Sequence, residues 1–141
     1  RAYVTLDLET TGLQPDKDTI LEIGAIKVVE GSVADTYATF VDPRREIPSR
    51  ITEITGITGD MVAGQPGIES ALPRLLEFCG DYPLLGRSLF FPLAFLYIII
   101  YEPLTLQDRE HLQFHQRHHR DIRHQLLLVQ LLYHNHSNTD G

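Results

Sequence analysis

Residues 3–12 read YVTLDLETTG, an apolar run that carries two acids, Asp7 and Glu9. Tyr3–Leu8 alternates and is β-rich, and the following TTGLQPDKD supplies the Gly, Pro and Asp of a turn. Side chains alternate across a strand, so Asp7 and Glu9 share one face while Leu6 and Leu8 share the other. Two like charges roughly 7 Å apart on a sheet repel, and partial burial pushes one pKa upward. A divalent cation relieves both problems, because hard oxygen donors suit Mg²⁺ or Mn²⁺. The alternative is the hydrated polar side of an edge strand, where surface acids are frequent.

The pattern around this stretch extends to an architecture. Ile20–Val29 reads as a second strand, EGS as a hairpin turn, and VADTYATFV as a third strand. DPRREIPSRI is a loop by its two prolines, and TEITGITGDMV continues as a short helix and turn. Ile68, Leu72, Leu75, Leu76 and Cys79 have the spacing of an amphipathic helix. Pro73 fits the first turn of that helix if it begins near Ser70. Three strands followed by helices predict an α/β layer fold led by an antiparallel three-strand meander.

A length of 141 residues suits one domain with a single core, and 43% hydrophobic with 22% charged residues excludes a disordered or fibrous chain. The net charge of −7 means that a nucleic-acid partner has to be held locally, by metals or a small basic patch. Cys79 is the lone cysteine, which excludes an internal disulfide and fits a reducing compartment. No basic-then-apolar leader pattern opens the chain, and a cytoplasmic location is expected. The longest apolar run, Leu89–Tyr101, is interrupted by Pro92 and too short to span a bilayer, so no membrane partner is expected.

The chain divides near Gly86. Nine of ten glycines lie at or before it, all seven histidines lie between His111 and His136, and no lysine follows Lys27. Up to Gly86 there are 14 acids against 7 bases, and beyond it 5 against 5. A second module, a degenerate tail and a shifted reading frame each account for this change.

DLETTGL, then ILEIGAIKV, then ITEITGIT resemble, in that order, the first part of the DEDD-type 3′–5′ exonucleases, the family of the DNA polymerase III proofreading (epsilon) subunit. The resemblance covers roughly residues 3–86. It implies a ribonuclease-H-like mixed sheet flanked by helices, incomplete at its C-terminal end: residues 1–86 as the exonuclease-like core and 87–141 as a divergent or degenerate segment of the same domain. It implies a two-metal phosphodiester hydrolysis at nucleic-acid 3′ ends, with Mg²⁺ or Mn²⁺ held by Asp7 and Glu9. Thr10, Thr11 and Gly12 would line the site of the terminal nucleotide, and Thr55, Gly56 and Ile57 would wedge against the last bases. For Ile57 a plain core position is the alternative. The implied partners are a single-stranded DNA or RNA 3′ end and a DNA polymerase subunit.

The resemblance departs from the family pattern beyond Gly86. The family's second acid sits in F-D-x-x-F-L; here Phe91, Phe95 and Leu96 fall into register and the acid position is Pro92. Proline offers no metal ligand and no backbone N–H. The third motif places a histidine five residues before an acid on a helix. Asp121 is the candidate third ligand, but five residues before it stands Gln116, with His115 and His118 out of register. A catalytically inactive exonuclease fold that binds strand ends or a polymerase is therefore the alternative function. His111, His115, His118 and His119 raise a further alternative, a Zn²⁺- or Ni²⁺-binding helix face, set against a solvated, pH-sensitive one.

Overall fold

The computed structural model describes residues 1–85 and 89–101. Three strands, β1 (Ala2–Thr10), β2 (Ile20–Val29) and β3 (Ser32–Phe40), form an antiparallel sheet in the order β1-β2-β3. Four helices follow: α1 (Ser49–Thr55), α2 (Gly59–Val62), α3 (Ile68–Cys79) and α4 (Phe90–Tyr101). The β2–β3 turn consists of Glu30 and Gly31, with φ of 49° and 78°, and Val29 pairs with Ser32. Two successive left-handed residues match the twist of the flanking strands, which is why E-G serves here. On the other side of β1, Val4 pairs in parallel with Leu84, the Val4 N–H donating to Pro83 O at 2.9 Å. The sheet is thus mixed, led by the antiparallel meander expected from the sequence.

Alternation along β1 sends Val4, Leu6 and Leu8 inward and leaves Asp7 exposed and Glu9 half-buried on the opposite face. The inward side chains join Ile23 and Ala25 of β2, Leu72, Leu75 and Leu76 of α3, and Leu93, Phe95 and Leu96 of α4 in one core. Each large apolar side chain buried there contributes about 1.5–3 kcal/mol. A β-bulge between Glu9 and Thr10 breaks the alternation at the start of β2. Ile20 therefore enters the main core while its neighbour Leu21 enters a second cluster with Ile51, Ile57 and Val62. That second cluster anchors α1 and α2.

Helix α3 starts at Ile68, two residues before the position that would put Pro73 in its first turn. Gly67 sets the earlier start: its carbonyl accepts from the N–H groups of Ser70 and Ala71 at 3.1 and 3.0 Å. Pro73 accordingly lies inside the helix, where it omits one rung of the hydrogen-bond ladder. Pro92, by contrast, is the third residue of α4, in a first turn that needs no N–H from it. Cys79 is buried in the core, and burial pushes its thiol up to about 12, which removes it as a thiolate nucleophile. No helix among the described residues is long and apolar enough to cross a membrane.

Candidate active site

Glu9 opens into a cleft of about 660 Å³. One wall is the end of β1 and the loop that follows it, from Leu8 through Gly12 and Leu13 to Lys17 and Asp18. The other is α1, through Arg50, Ile51, Ile54 and Thr55, with Phe91 of α4 completing the lining. Asp7 lies on the same sheet face as Glu9 but outside this lining. Directly across the ladder from Glu9 stands Glu22, so a third carboxylate faces the pair. Burial first, then the charges of Asp7 and Glu22, push the Glu9 carboxyl above its ordinary value of 4.5.

The loop after β1 is tightly bonded. The Thr10 hydroxyl donates to Gly12 O at 2.6 Å, and the Thr11 N–H donates to Thr19 O at 2.9 Å. The Thr11 hydroxyl donates to Asp18 Oδ1 at 3.1 Å and accepts from the Thr19 N–H at 3.0 Å and from Arg45 Nη2 at 2.6 Å. Gly12 packs directly over the Asp18 carboxylate: a Cβ built there would lie 2.6 Å from Asp18 Cγ. Of the three loop residues expected at the terminal nucleotide, Thr10 and Gly12 line the cleft. Thr11 is 1% exposed, and its hydroxyl, with one donor and two acceptor sites, is filled by the protein itself.

The T-G-I segment is a helix stop. Gly56 takes a left-handed conformation (φ 75°) at the end of α1, and its N–H donates to Thr52 O at 2.8 Å. The Thr55 hydroxyl donates to Ile51 O at 2.8 Å and accepts from the Ile57 N–H at 3.1 Å. Thr55 lines the cleft, whereas Ile57 is 2% exposed inside the second cluster. Ile54 is the isoleucine that faces the opening, 79% exposed, and Leu13 on the facing wall is 81% exposed. Sequence reading missed this pair: Ile54 and Ile57 flank the same T-G dipeptide and Leu13 lies in a turn, so only the packing shows which of them face the cleft. Lys17 and Arg50 complete the lining with two cations in a chain of net charge −7. The cleft thus sets two exposed apolar side chains beside two cations.

Asp121 and the histidine tract lie outside the described residues. Among the described residues, no group of three or more His, Cys, Asp or Glu side chains converges on a metal position. Asp7 and Glu9 are nonetheless a hard-oxygen donor pair on one sheet face, the proton affinity of Glu9 raised by burial first and by neighbouring charges second, and that chemistry fits a divalent cation. Pro92, buried beside Phe91 at the start of α4, contributes no donor.

A model of the exonuclease family RNase_T matches residues 4–140. The chain belongs to this family. Among its curated relatives, the PolC-type DNA polymerase III of Clostridium perfringens is 46% identical over 94 residues, covering 67% of this chain and 6% of that protein. The DNA polymerase III subunit epsilon of Aquifex aeolicus is 41% identical over 85 residues, covering 60% of this chain and 42% of the relative. The chain thus spans a small fraction of the first relative's length and about two fifths of the second's. Among solved structures, exonuclease X in complex with 5′ overhanging duplex DNA superposes with a TM-score of 0.56 at 29% identity, covering 65% of this chain and 52% of that one. E. coli exonuclease I, solved with an oligonucleotide, gives a TM-score of 0.61 at 21% identity over 71% of this chain and 24% of that one, a likeness of fold.

Proposed function

We propose that this chain is a metal-dependent 3′–5′ exonuclease of the DNA polymerase proofreading type, hydrolysing phosphodiester bonds at single-stranded DNA or RNA 3′ ends. One observation carries the reading: a half-buried acid of a crowded carboxylate pair opens into a cleft flanked by exposed Leu13 and Ile54 and by Lys17 and Arg50. Leu13 and Ile54 offer the terminal bases apolar contact on two sides. Lys17 and Arg50 hold phosphates locally against the chain's overall negative field. Asp7 and Glu9 would hold Mg²⁺ or Mn²⁺, which when bound supplies Lewis acidity and an activated water. Glu9, facing the cleft, presents its carboxylate toward the strand terminus, while Asp7 contributes its charge from outside the lining. A polymerase partner belongs to the same proposal, by likeness to the PolC-type and epsilon relatives, and so does a cytoplasmic setting, which a lone cysteine fits.

A second reading, a catalytically inactive module that binds strand ends or a polymerase, has its own observation. Pro92 stands in the first turn of α4, where the family resemblance puts an acid. One experiment separates the two. A 5′-labelled single-stranded oligonucleotide is incubated with Mn²⁺ and the wild type or Asp7→Ala, and end binding is followed in parallel. A 3′-end ladder lost in Asp7→Ala supports the exonuclease. End binding without a ladder supports the inactive module, and absence of both overturns both. Thermal melts give an independent metal readout: Mn²⁺ at 100 times its dissociation constant stabilises the fold by about 2.7 kcal/mol, an effect lost in Asp7→Ala.

A further inference from the structure

We propose that Arg45 is a positioning residue that fixes the Thr10–Leu13 wall of the cleft from behind, acting through Thr11 and Asp18. The inference rests on the strand-end reading above and assigns a role to a residue outside the cleft's lining. Arg45 comes from the loop after β3, 34 positions from Thr11 in sequence. Its neighbour Arg44 adopts a left-handed conformation (φ 53°), held by its N–H donating to Asp42 Oδ1 at 2.9 Å and by an ion pair with Glu69 of α3. The reversal turns the next side chain toward the loop after β1.

There the guanidinium meets three acceptors at once. Arg45 Nη2 donates to Thr11 Oγ1 at 2.6 Å, Nη1 donates to Lys17 O at 2.9 Å, and Nη2 lies 3.6 Å from Asp18 Oδ1. Asp18 in turn accepts from the Thr11 hydroxyl through Oδ1 and from the Gln14 N–H through Oδ2 at 2.9 Å. Gly12 sits on that same carboxylate. One cation therefore ties the T-T-G wall, the Gln14–Asp18 turn and the loop after β3 into a single unit. The Arg45–Asp18 ion pair, 3.6 Å long and with Arg45 open to solvent, is weak by itself because solvent screens it. The planar fork is what matters: two nitrogens at fixed spacing reach a hydroxyl and a carbonyl simultaneously, which a lysine ammonium on a flexible stem does not reproduce. A loosened wall would carry Leu13 and Gly12 away from the facing Ile54, so the effect belongs to recognition of the strand end.

The test compares wild type, Arg45→Lys and Arg45→Met in the full chain. Hydrogen exchange reads the clamp directly, since the Thr19 and Gln14 amides donate into it. Arg45→Met is expected to speed exchange at these two amides roughly tenfold while β1–β2 ladder amides keep their rates, with Arg45→Lys intermediate. Fluorescence anisotropy with a 5′-labelled oligonucleotide, 3′-hydroxyl against 3′-phosphate, reads end preference. That ratio is expected to fall about tenfold in Arg45→Met, with binding of the blocked strand unchanged, an outcome that general destabilisation does not produce. Unchanged exchange, or accelerated exchange with an unchanged ratio, overturns the proposal. A wild type with no end preference overturns the strand-end reading instead, and exchange alone then decides whether Arg45 fixes the wall. Should Arg45→Met not fold, Thr11→Val keeps the buried shape, removes the hydroxyl, and takes the same two measurements.

Discussion

Replacing Glu22 by Gln should make the protein more stable. Glu22 and Glu9 are register partners on the exposed face of the sheet, and Asp7 stands two residues from Glu9 on that same face. Like charges directly opposed on a sheet cost from a few tenths to about 1 kcal/mol, and partial exposure of this pair places the repulsion near 0.5 kcal/mol. For a chain of this length that corresponds to a rise of about 2 °C in melting temperature at pH 7. The pH course follows from the raised Glu9 carboxyl. A folded-state pKa above the ordinary 4.5 means that the folded protein holds this proton more tightly than the unfolded chain. Glu9 therefore destabilises the fold at neutral pH, and the penalty fades as pH falls through the raised pKa toward 4.5. Melts followed by circular dichroism at pH 7, 6, 5 and 4 should show the variant's advantage shrinking in step and vanishing at the acid end. A variant that melts with the wild type at pH 7, or gains advantage on acidification, would refute cross-strand repulsion as the cause.

Three other perturbations have definite outcomes. Gly12→Ala drives a Cβ into the Asp18 carboxylate, whose bonds to Thr11 and Gln14 resist displacement, and should lower stability by about 1–2 kcal/mol in urea titration. Phe95→Ala removes a side chain with 0% exposure from the seam between α4 and the sheet and should cost about 3–5 kcal/mol in one cooperative transition, testing whether α4 folds with the rest. Pro92→Asp restores a carboxylate to the first turn of α4, where the helix dipole favours it, and should raise Mn²⁺-dependent release of 3′ nucleotides by roughly tenfold or more over wild type. An unchanged rate in a folded Pro92→Asp protein would remove that position from the chemistry.

The parts of the molecule legible in its sequence are those governed by short-range rules. Period-two alternation marked the faces of β1 and apolar spacing the buried stripe of α3, while the expected EGS turn is in place but one residue shorter, Ser32 opening β3 opposite Val29. Helix α3 began earlier than expected because Gly67 supplies the first accepting carbonyl, a backbone detail that composition does not carry. The site was harder to read wherever tertiary packing chooses between similar residues. Ile57 and Ile54 are both isoleucines beside a T-G pair; the helix stop at Gly56 sends one into the core and leaves the other at the cleft. Glu22 meets Glu9 only through the pairing register of two strands, and Arg45 reaches Thr11 across 34 residues by way of a left-handed turn at Arg44.

These long-range placements change the meaning of the opening acids. An isolated Asp-x-Glu on a strand is ordinary, and hydration alone would keep both residues charged. Here Glu22 adds a third carboxylate across the ladder, and partial burial of Glu9 and Glu22 reduces the solvent that would screen their charges. The face then favours a bound cation or a bound proton, and the raised proton affinity of Glu9 is the second of these. A divalent ion on Asp7 and Glu9 must compete with that proton, so its apparent affinity should rise with pH across the interval in which Glu9 titrates. The same coupling separates a metal site from a solvated acidic edge, whose carboxylates would bind protons near their ordinary value and Mn²⁺ with no such dependence. Titration of Mn²⁺ at pH 7 and at steps down toward 4.5 therefore tests Asp7 and Glu9 as metal ligands without requiring the protein to turn over a substrate.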